Sequence, residues 1–174
     1  MQRVLGLLDG LGRRPWLFLL LGASVTVFGA VMVTVVQLTT LTGGYGVLDF
    51  DIGYDPERVM TVLGSYGTKG MALNARVQAL DLVNPLLYAT VMAVFTRMVW
   101  RGKGPEWLAL LPYLAALGDY AENITLFLMA QRFPEVSEQI VSVSSTLSLL
   151  KNAMMPIAAG PLVVGIVLKA VKRL

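Results

Sequence analysis

Four long apolar stretches follow one another along the chain of 174 residues. A helix needs about 20 predominantly apolar residues to cross the hydrocarbon core of a bilayer. The first stretch carries no charge between Arg14 and Asp49, and each of the other three is interrupted by only one or two charged residues. The pattern therefore predicts an all-α membrane protein, a single domain over residues 1–174 with a bundle of four transmembrane helices. These spans are expected at about residues 15–39, 74–98, 106–131 and 138–169.

Two further segments are predicted outside the spans. Ahead of the first span, apolar residues recur at helical spacing and predict a short helix at the membrane interface. Between the first two spans, residues 41–72 are expected to form a long loop. Asp55 followed by Pro56 predicts the start of a short helix in that loop, which Gly64 or Gly67 would end. The loop could be a surface connection between two spans, or a lid over a pocket in the bundle.

The composition agrees with a membrane protein and excludes two kinds of chemistry. Hydrophobic residues make up 56% of the chain and charged residues 14%, whereas soluble domains contain about 25% charged residues. Cysteine is absent, which excludes disulfides, and histidine is absent, which removes the usual zinc ligand and the usual general base. We assign no cofactor and no metal. The net charge of +3 is not gathered in a basic patch with aromatic residues, so we expect no nucleic-acid partner.

Lysine and arginine are distributed unequally between the two sides of the predicted bundle. Cytoplasmic loops of membrane proteins carry an excess of these residues. Four of them fall on the side of the long loop, namely Arg58, Lys69, Arg76 and Arg132. Nine fall on the opposite side, namely Arg3, Arg13, Arg14, Arg97, Arg101, Lys103, Lys169, Lys172 and Arg173. We therefore expect a multi-pass protein of the cell inner membrane with both termini cytoplasmic and the long loop outside.

Six ionisable or amide side chains inside three of the predicted spans fall at similar depths. At a rise of about 1.5 Å per residue, all six lie in the outer half of a hydrocarbon core about 30 Å thick. They are Asp81 and Asn84 of the second span, Asp119 and Glu122 of the third, and Lys151 and Asn152 of the fourth. A charge that faces lipid costs at least a few kcal/mol. We therefore expect these side chains to face one another or a water-filled cavity.

The spacing within each span supports a common facing. Asp119, Glu122 and Asn123 follow one another at i, i+3 and i+4, so they share one face of a helix. Tyr88 shares a face with the polar residues of the second span, and Ser148 lies three residues before Lys151. The candidate site consists of Asp81, Asn84, Asp119, Glu122, Asn123, Lys151 and Asn152, with Tyr88, Arg76 and Ser148 at its rim.

The charges of this candidate site do not balance. Three acids and one base leave a net charge of −2 when all are ionised. That charge is costly in a medium of low dielectric constant. Either carboxyl groups are protonated, or Arg76 swings in from the rim, or a cation binds. Only oxygen ligands are on offer, so a bound metal would have to be a hard cation.

Four short segments of the chain resemble those of a known family. They read GYDP at residues 53–56, LDLVNPLLY at 80–88, DYAEN at 119–123 and TLSLLK at 146–151. The chain resembles an uncharacterised family of small bacterial four-span integral membrane proteins. The resemblance implies a four-helix bundle in a bacterial inner membrane, and it carries no activity with it.

Three kinds of function remain open at this point. Our preferred hypothesis is that the buried site binds a small or lipid-like ligand, a cation or a proton, with Asp119 and Glu122 supplying the charge or proton and Lys151 serving as counter-ion. An intramembrane enzyme that uses paired carboxyl groups for acid–base chemistry on a lipophilic substrate is one alternative. A non-catalytic subunit whose polar residues form a structural lock is the other. The expected partners are membrane lipid, a lipid-like ligand or cation, and a second copy of the chain in a homo-oligomer.

Overall fold

The fold is built from helices alone over residues 1–171, which a computed structural model describes, and 84% of the protein is helical. Lys172 and Arg173, which enter the charge count above, lie outside the described residues. The six α-helices of the described part are α1 (Gln2–Leu11), α2 (Arg14–Leu41), α3 (Pro56–Asp81), α4 (Asn84–Trp100), α5 (Leu111–Arg132) and α6 (Glu138–Ala170). Short 3-10 turns at Leu48–Phe50 and Glu106–Leu110 precede α3 and α5. The all-helical prediction is confirmed.

The second predicted span is not one continuous helix. α3 ends at Asp81 and α4 begins at Asn84, so the helix breaks at Leu82 and Val83. Pro85 explains the break, because a proline ring clashes with the carbonyl group four residues earlier and has no N–H to donate to it. That carbonyl group belongs to Asp81. The break therefore brings the end of α3 and the start of α4, with their polar side chains, to one place.

The long loop predicted at residues 41–72 is shorter in the structure. α3 begins at Pro56, and the Asp55 side chain caps it by accepting a hydrogen bond at 2.7 Å from the backbone N–H three residues on. At Gly67 the backbone leaves the helical region, with φ of 53° and ψ of −168°, and the helix then resumes. Only residues 42–55 lie between α2 and α3, and this segment is called the connecting loop below. The predicted helix start at Pro56 and its interruption at Gly67 are both confirmed, whereas the non-helical part of the loop is confined to residues 42–55.

Within residues 1–171, three helical segments are long and apolar enough to cross a membrane. They are α2, the segment Pro56–Trp100 that α3 and α4 form together, and α6. The fourth predicted span corresponds to α5, which is not among them although its 22 residues would extend over about 33 Å. The polar run from Asp119 to Asn123 lowers the hydropathy of α5. Three of the four predicted spans therefore correspond to helical segments able to cross a membrane.

The helices pack around two apolar clusters. One cluster joins α2, α3 and α5 next to the connecting loop, and its fully buried members include Leu38, Val59 and Met129. The other lies at the opposite end of α4, where Leu5 and Leu8 of α1 pack against its alanine and valine side chains. α5 packs on α6 and α4, whereas α2 packs on α3 and α4 rather than on α6. This leaves a space between α2 and α6.

Gly165 of α6 lies where α6 comes close to the end of α4. Trp100 donates a hydrogen bond from Nε1 to the Pro161 carbonyl oxygen at 2.8 Å, which holds the indole ring over this glycine. A methyl group on residue 165 would lie 2.3 Å from Val99 Cγ1 and 2.7 Å from Trp100 Nε1. We therefore expect Gly165→Ala to lower the free energy of unfolding by about 1–3 kcal/mol, as overpacking does elsewhere.

Thermal unfolding of the purified protein in detergent measures this loss. The matched control is Gly29→Ala inside α2, where an added methyl group would meet no atom within 4 Å outside the helix's own backbone. Both substitutions gain the same helix propensity, so the difference between them isolates the contact with α4. Equal stability of the two variants would contradict this packing.

Candidate functional site

Lys151 of α6 stands at the centre of the polar side chains. Its Nζ lies 2.6 Å from Glu122 Oε2, 2.7 Å from Asp49 Oδ1 and 3.6 Å from Asp119 Oδ1. Glu122 is fully buried at 0% exposure, and within the described residues neither of its carboxylate oxygens has an aligned hydrogen-bond donor. Its contact with Lys151 is therefore an ion pair. One ammonium group joins carboxylates from α5 and from the connecting loop.

Asp81 occupies the break between α3 and α4 and accepts two hydrogen bonds. Asn84 Nδ2 donates to its Oδ1 at 3.0 Å, and Asn123 Nδ2 of α5 donates to its Oδ2 at 2.6 Å. The break places Asn84 one helical turn after the carboxylate, and the second amide ties α3 to α5. Nearby, the Tyr88 hydroxyl donates to Asp119 Oδ2 at 3.1 Å. These contacts hold both aspartates in fixed orientations.

Asp49, Asp81 and Asp119 each offer one carboxylate oxygen, and these oxygens lie within 4.8 Å of one another. Oxygen ligands at such a spacing suit hard cations such as Ca²⁺ or Mg²⁺. Two of them, Asp49 and Asp119, already share the ammonium group of Lys151. Together with Glu122 the site holds four carboxylates and one base, a net charge of −3 when all are ionised.

Some of the predicted site residues lie apart from this cluster. Asn152 borders the neighbouring cavity, but its Nδ2 donates to the Ser148 carbonyl oxygen of its own helix at 2.9 Å. Ser148 is fully buried and stays with the cluster, since its hydroxyl donates to the Asp51 carbonyl oxygen at 2.8 Å and also lies beside the Glu122 carboxylate. Arg76 is exposed and makes no ion pair within residues 1–171, so the suggestion that it swings in is not supported.

Asp49 is the site residue that the sequence did not reveal. It lies in the 3-10 turn Leu48–Phe50 of the connecting loop, outside the predicted spans. In the structure Leu48 is buried in the core, which turns the Asp49 carboxylate toward Lys151. No local pattern marked Asp49: the apolar residues that alternate with the acids, Phe50 and Ile52, are exposed, and the contact depends on how the loop folds over α6.

The connecting loop is fastened along one face of α6. Besides the ion pair of Asp49, the backbone N–H of Tyr54 donates to Ser145 Oγ at 3.0 Å. The Tyr54 hydroxyl lies 2.7 Å from Ser144 Oγ, which in turn lies 2.6 Å from Thr125 Oγ1 of α5. Burial raises the pKa of Tyr54 above its ordinary value, so the hydroxyl stays neutral and serves as a hydrogen-bonding group.

A cavity of about 480 Å³ lies in the space between α2 and α6. Its polar end is formed by the three aspartates, Asn84, Tyr88 and Lys151. Its apolar part runs along Phe28, Met32, Met92 and Met155, and the connecting loop adds Phe50 and Ile52. Phe28, Phe50 and Ile52 are 53%, 53% and 67% exposed, so they mark the mouth of the cavity. The volume lies in the range of ligand pockets, about 300–1,000 Å³.

Fold and site together define an all-helical protein with three segments able to cross a membrane and a buried acidic cluster beside an amphipathic cavity. No protein-family model, no curated protein and no solved structure matches the chain.

Proposed function

We propose that the protein is a four-span integral protein of a bacterial inner membrane, with both termini in the cytoplasm. The exposed residues support this placement, since α2 presents Phe18, Val25 and Val33 at 71%, 71% and 60% exposure. Such apolar surface is unfavourable in water and favourable in lipid. α5 serves as the fourth span because it packs between α4 and α6, where its acids Asp119 and Glu122 are buried. A span shielded by protein needs less hydropathy of its own.

In that bilayer the cavity binds an amphiphilic, lipid-like ligand. The observation that carries this proposal is the division of one cavity of about 480 Å³ into a charged end and an apolar part. The mouth is bordered by Phe28 of α2 and by Phe50 and Ile52 of the connecting loop, so a ligand enters beside α2 from the lipid phase, next to the loop. The charged end binds the headgroup of the ligand. The alkyl chain of the ligand lies along α2 from Met32 to Ser24, a length of about 12 Å.

The connecting loop acts as an outer lid over the headgroup. Its Asp49 borders the charged end of the cavity, its Phe50 and Ile52 border the mouth, and its contacts with α6 hold it there. Ligand exchange therefore requires either passage between α2 and α6 or release of these contacts.

A structural lock is the second candidate, and Glu122 favours it. This residue is fully buried and pairs with Lys151, but it does not border the cavity. The pair therefore fastens α5 to α6 whether or not a ligand is present. Both roles coexist when Glu122 serves the lock and the three aspartates serve the ligand.

Filling the cavity from α2 tests the proposed binding. Ser24 borders the inner part of the cavity, so Ser24→Trp is expected to occupy the space of the ligand chain and to lower amphiphile affinity tenfold or more. Native mass spectrometry of the detergent-purified protein, titrated with dodecyl amphiphiles, measures the one-to-one adduct. The matched control is Val25→Trp, because Val25 is 71% exposed and points away from the cavity. Equal adducts in the two variants and the wild type would place binding elsewhere.

A further inference from the structure

The charged end of the cavity contains more negative charge than its base neutralises. Asp49, Asp81 and Asp119 border the cavity together with Lys151. The shortest contact of Lys151, at 2.6 Å, is with Glu122, which lies behind the cavity wall. The cluster therefore holds four carboxylates and one ammonium group, which contacts three of them and neutralises the charge of one.

Glu122 provides an independent sign that the cluster lacks cationic or donor groups. Its carboxylate is directed into the cluster, as the contact with Lys151 shows, yet its Oε1 is fully buried without a hydrogen-bond donor among the described residues. Buried carboxylate oxygens are normally paired, because an unpaired one is costly in a medium of low dielectric constant. A further cation bound at the aspartates would supply the missing positive charge and make the net charge of the cluster less negative.

We infer that the ligand is an amphiphile with a cationic amine as its headgroup. This inference rests on the proposed function and names its ligand class. A primary ammonium group has three N–H donors and no acceptor, which suits three carboxylate oxygens within 4.8 Å of one another. Lys151 shows that two of these aspartates can share an ammonium group, since its Nζ lies 2.7 Å from Asp49 Oδ1 and 3.6 Å from Asp119 Oδ1. A bare metal ion would occupy the aspartates alone and leave the apolar part of the cavity without an occupant.

Three probes with the same alkyl chain separate headgroup recognition from chain binding. They are dodecylamine, the neutral N-dodecylacetamide and the anionic dodecanoate, each titrated below its micellar concentration into the purified protein. Dissociation constants follow from native mass spectrometry and from the rise in the thermal unfolding midpoint, which is a solution measurement. We expect dodecylamine to bind at least tenfold more tightly than the acetamide, and dodecanoate to bind most weakly.

The variant Asp119→Asn tests the source of the preference. Asparagine keeps an oxygen that accepts the hydrogen bond of Tyr88 and removes one negative charge from the cavity wall. We expect the affinity for dodecylamine to fall tenfold or more while the affinity for N-dodecylacetamide stays the same, which also shows that the variant is folded. The matched control is Glu57→Gln, which removes an exposed acid in the first turn of α3 and leaves both affinities unchanged.

The outcomes separate this inference from the proposed function. Equal affinities for the amine and the acetamide, both lost in Ser24→Trp, would leave the binding cavity standing and overturn the amine headgroup. Preference for dodecanoate would overturn it as well and would show that Lys151 dominates recognition. If none of the three probes binds, or if Ser24→Trp leaves their binding unchanged, the proposed function itself is refuted. An amine preference that Asp119→Asn leaves intact would overturn the assignment to the aspartates.

Discussion

Replacing Lys151 by methionine is expected to lower the free energy of unfolding by about 3–5 kcal/mol, the range found when one partner of a buried ion pair is removed. Methionine retains most of the aliphatic chain, so the loss is electrostatic rather than steric. Glu122 then remains fully buried with no counter-ion, and Asp49 loses the contact that fastens the connecting loop to α6. Thermal unfolding in detergent, together with the yield of monodisperse protein, measures the effect.

A second substitution in the same protein identifies the cause. In Lys151→Met with Glu122→Gln the uncompensated buried charge is gone, so we expect this double variant to recover about half or more of the lost stability. Glu122→Gln alone should destabilise the protein less than Lys151→Met alone, because the base keeps Asp49 and Asp119 as partners. The control is Lys69→Met, which changes an exposed lysine of α3. Equal losses in the single and double variants would show that Lys151 acts through packing.

The helices that carry the buried polar side chains were predictable from the sequence, because the spacing of these residues fixes their helix face and their depth. Side chains three and four residues apart lie on one side of a helix, and a buried charge cannot face lipid without a large cost. Asp119 and Glu122 are accordingly gathered with Lys151, and Asn123 joins Asp81. These relations hold for a helix in any arrangement, so no tertiary information was required.

Asp49 could not be assigned in the same way. Its contact with Lys151 joins residues that are 102 positions apart in the chain, and it depends on how the connecting loop folds back over α6. Local rules describe turns and helix starts, but they do not say which helix a loop will touch. By contrast, the capped start of α3 at Pro56 was predictable by such local rules, because Asp55 and its hydrogen-bond partner lie within one turn.

The break of the helix at Leu82 and Val83 could be predicted from the sequence only in part. Pro85 made a distortion of the second span foreseeable, since proline cannot continue the hydrogen bonding of a helix interior. Whether the helix would bend or separate into two depends on what stabilises the freed backbone groups. Here the Tyr120 hydroxyl of α5 donates to the Leu82 carbonyl oxygen at 2.9 Å. That partner comes from another helix, so the outcome is a tertiary property.

Replacing Tyr54 by alanine is expected to release the connecting loop from α6. The ring is buried in the apolar cluster beside the loop, and its hydroxyl contacts Ser144. Truncation of a buried aromatic side chain costs about 3–5 kcal/mol. Because this side chain belongs to the connecting loop, its loss weakens the docking of the loop on α6 rather than the helix bundle. We therefore expect faster hydrogen exchange in residues 42–55 and little change in α5 and α6.

Tyr54→Phe is the matched control, because it keeps the ring and removes only the hydroxyl. Ser144 retains Thr125 as a hydrogen-bond partner in that variant, so we expect a loss of about 1 kcal/mol and nearly unchanged exchange of the loop. If the loop is a lid, Tyr54→Ala also accelerates the dissociation of a bound dodecyl amphiphile, whereas Tyr54→Phe does not. Faster hydrogen exchange without faster dissociation would show that the loop only connects α2 to α3, and that ligands leave between α2 and α6.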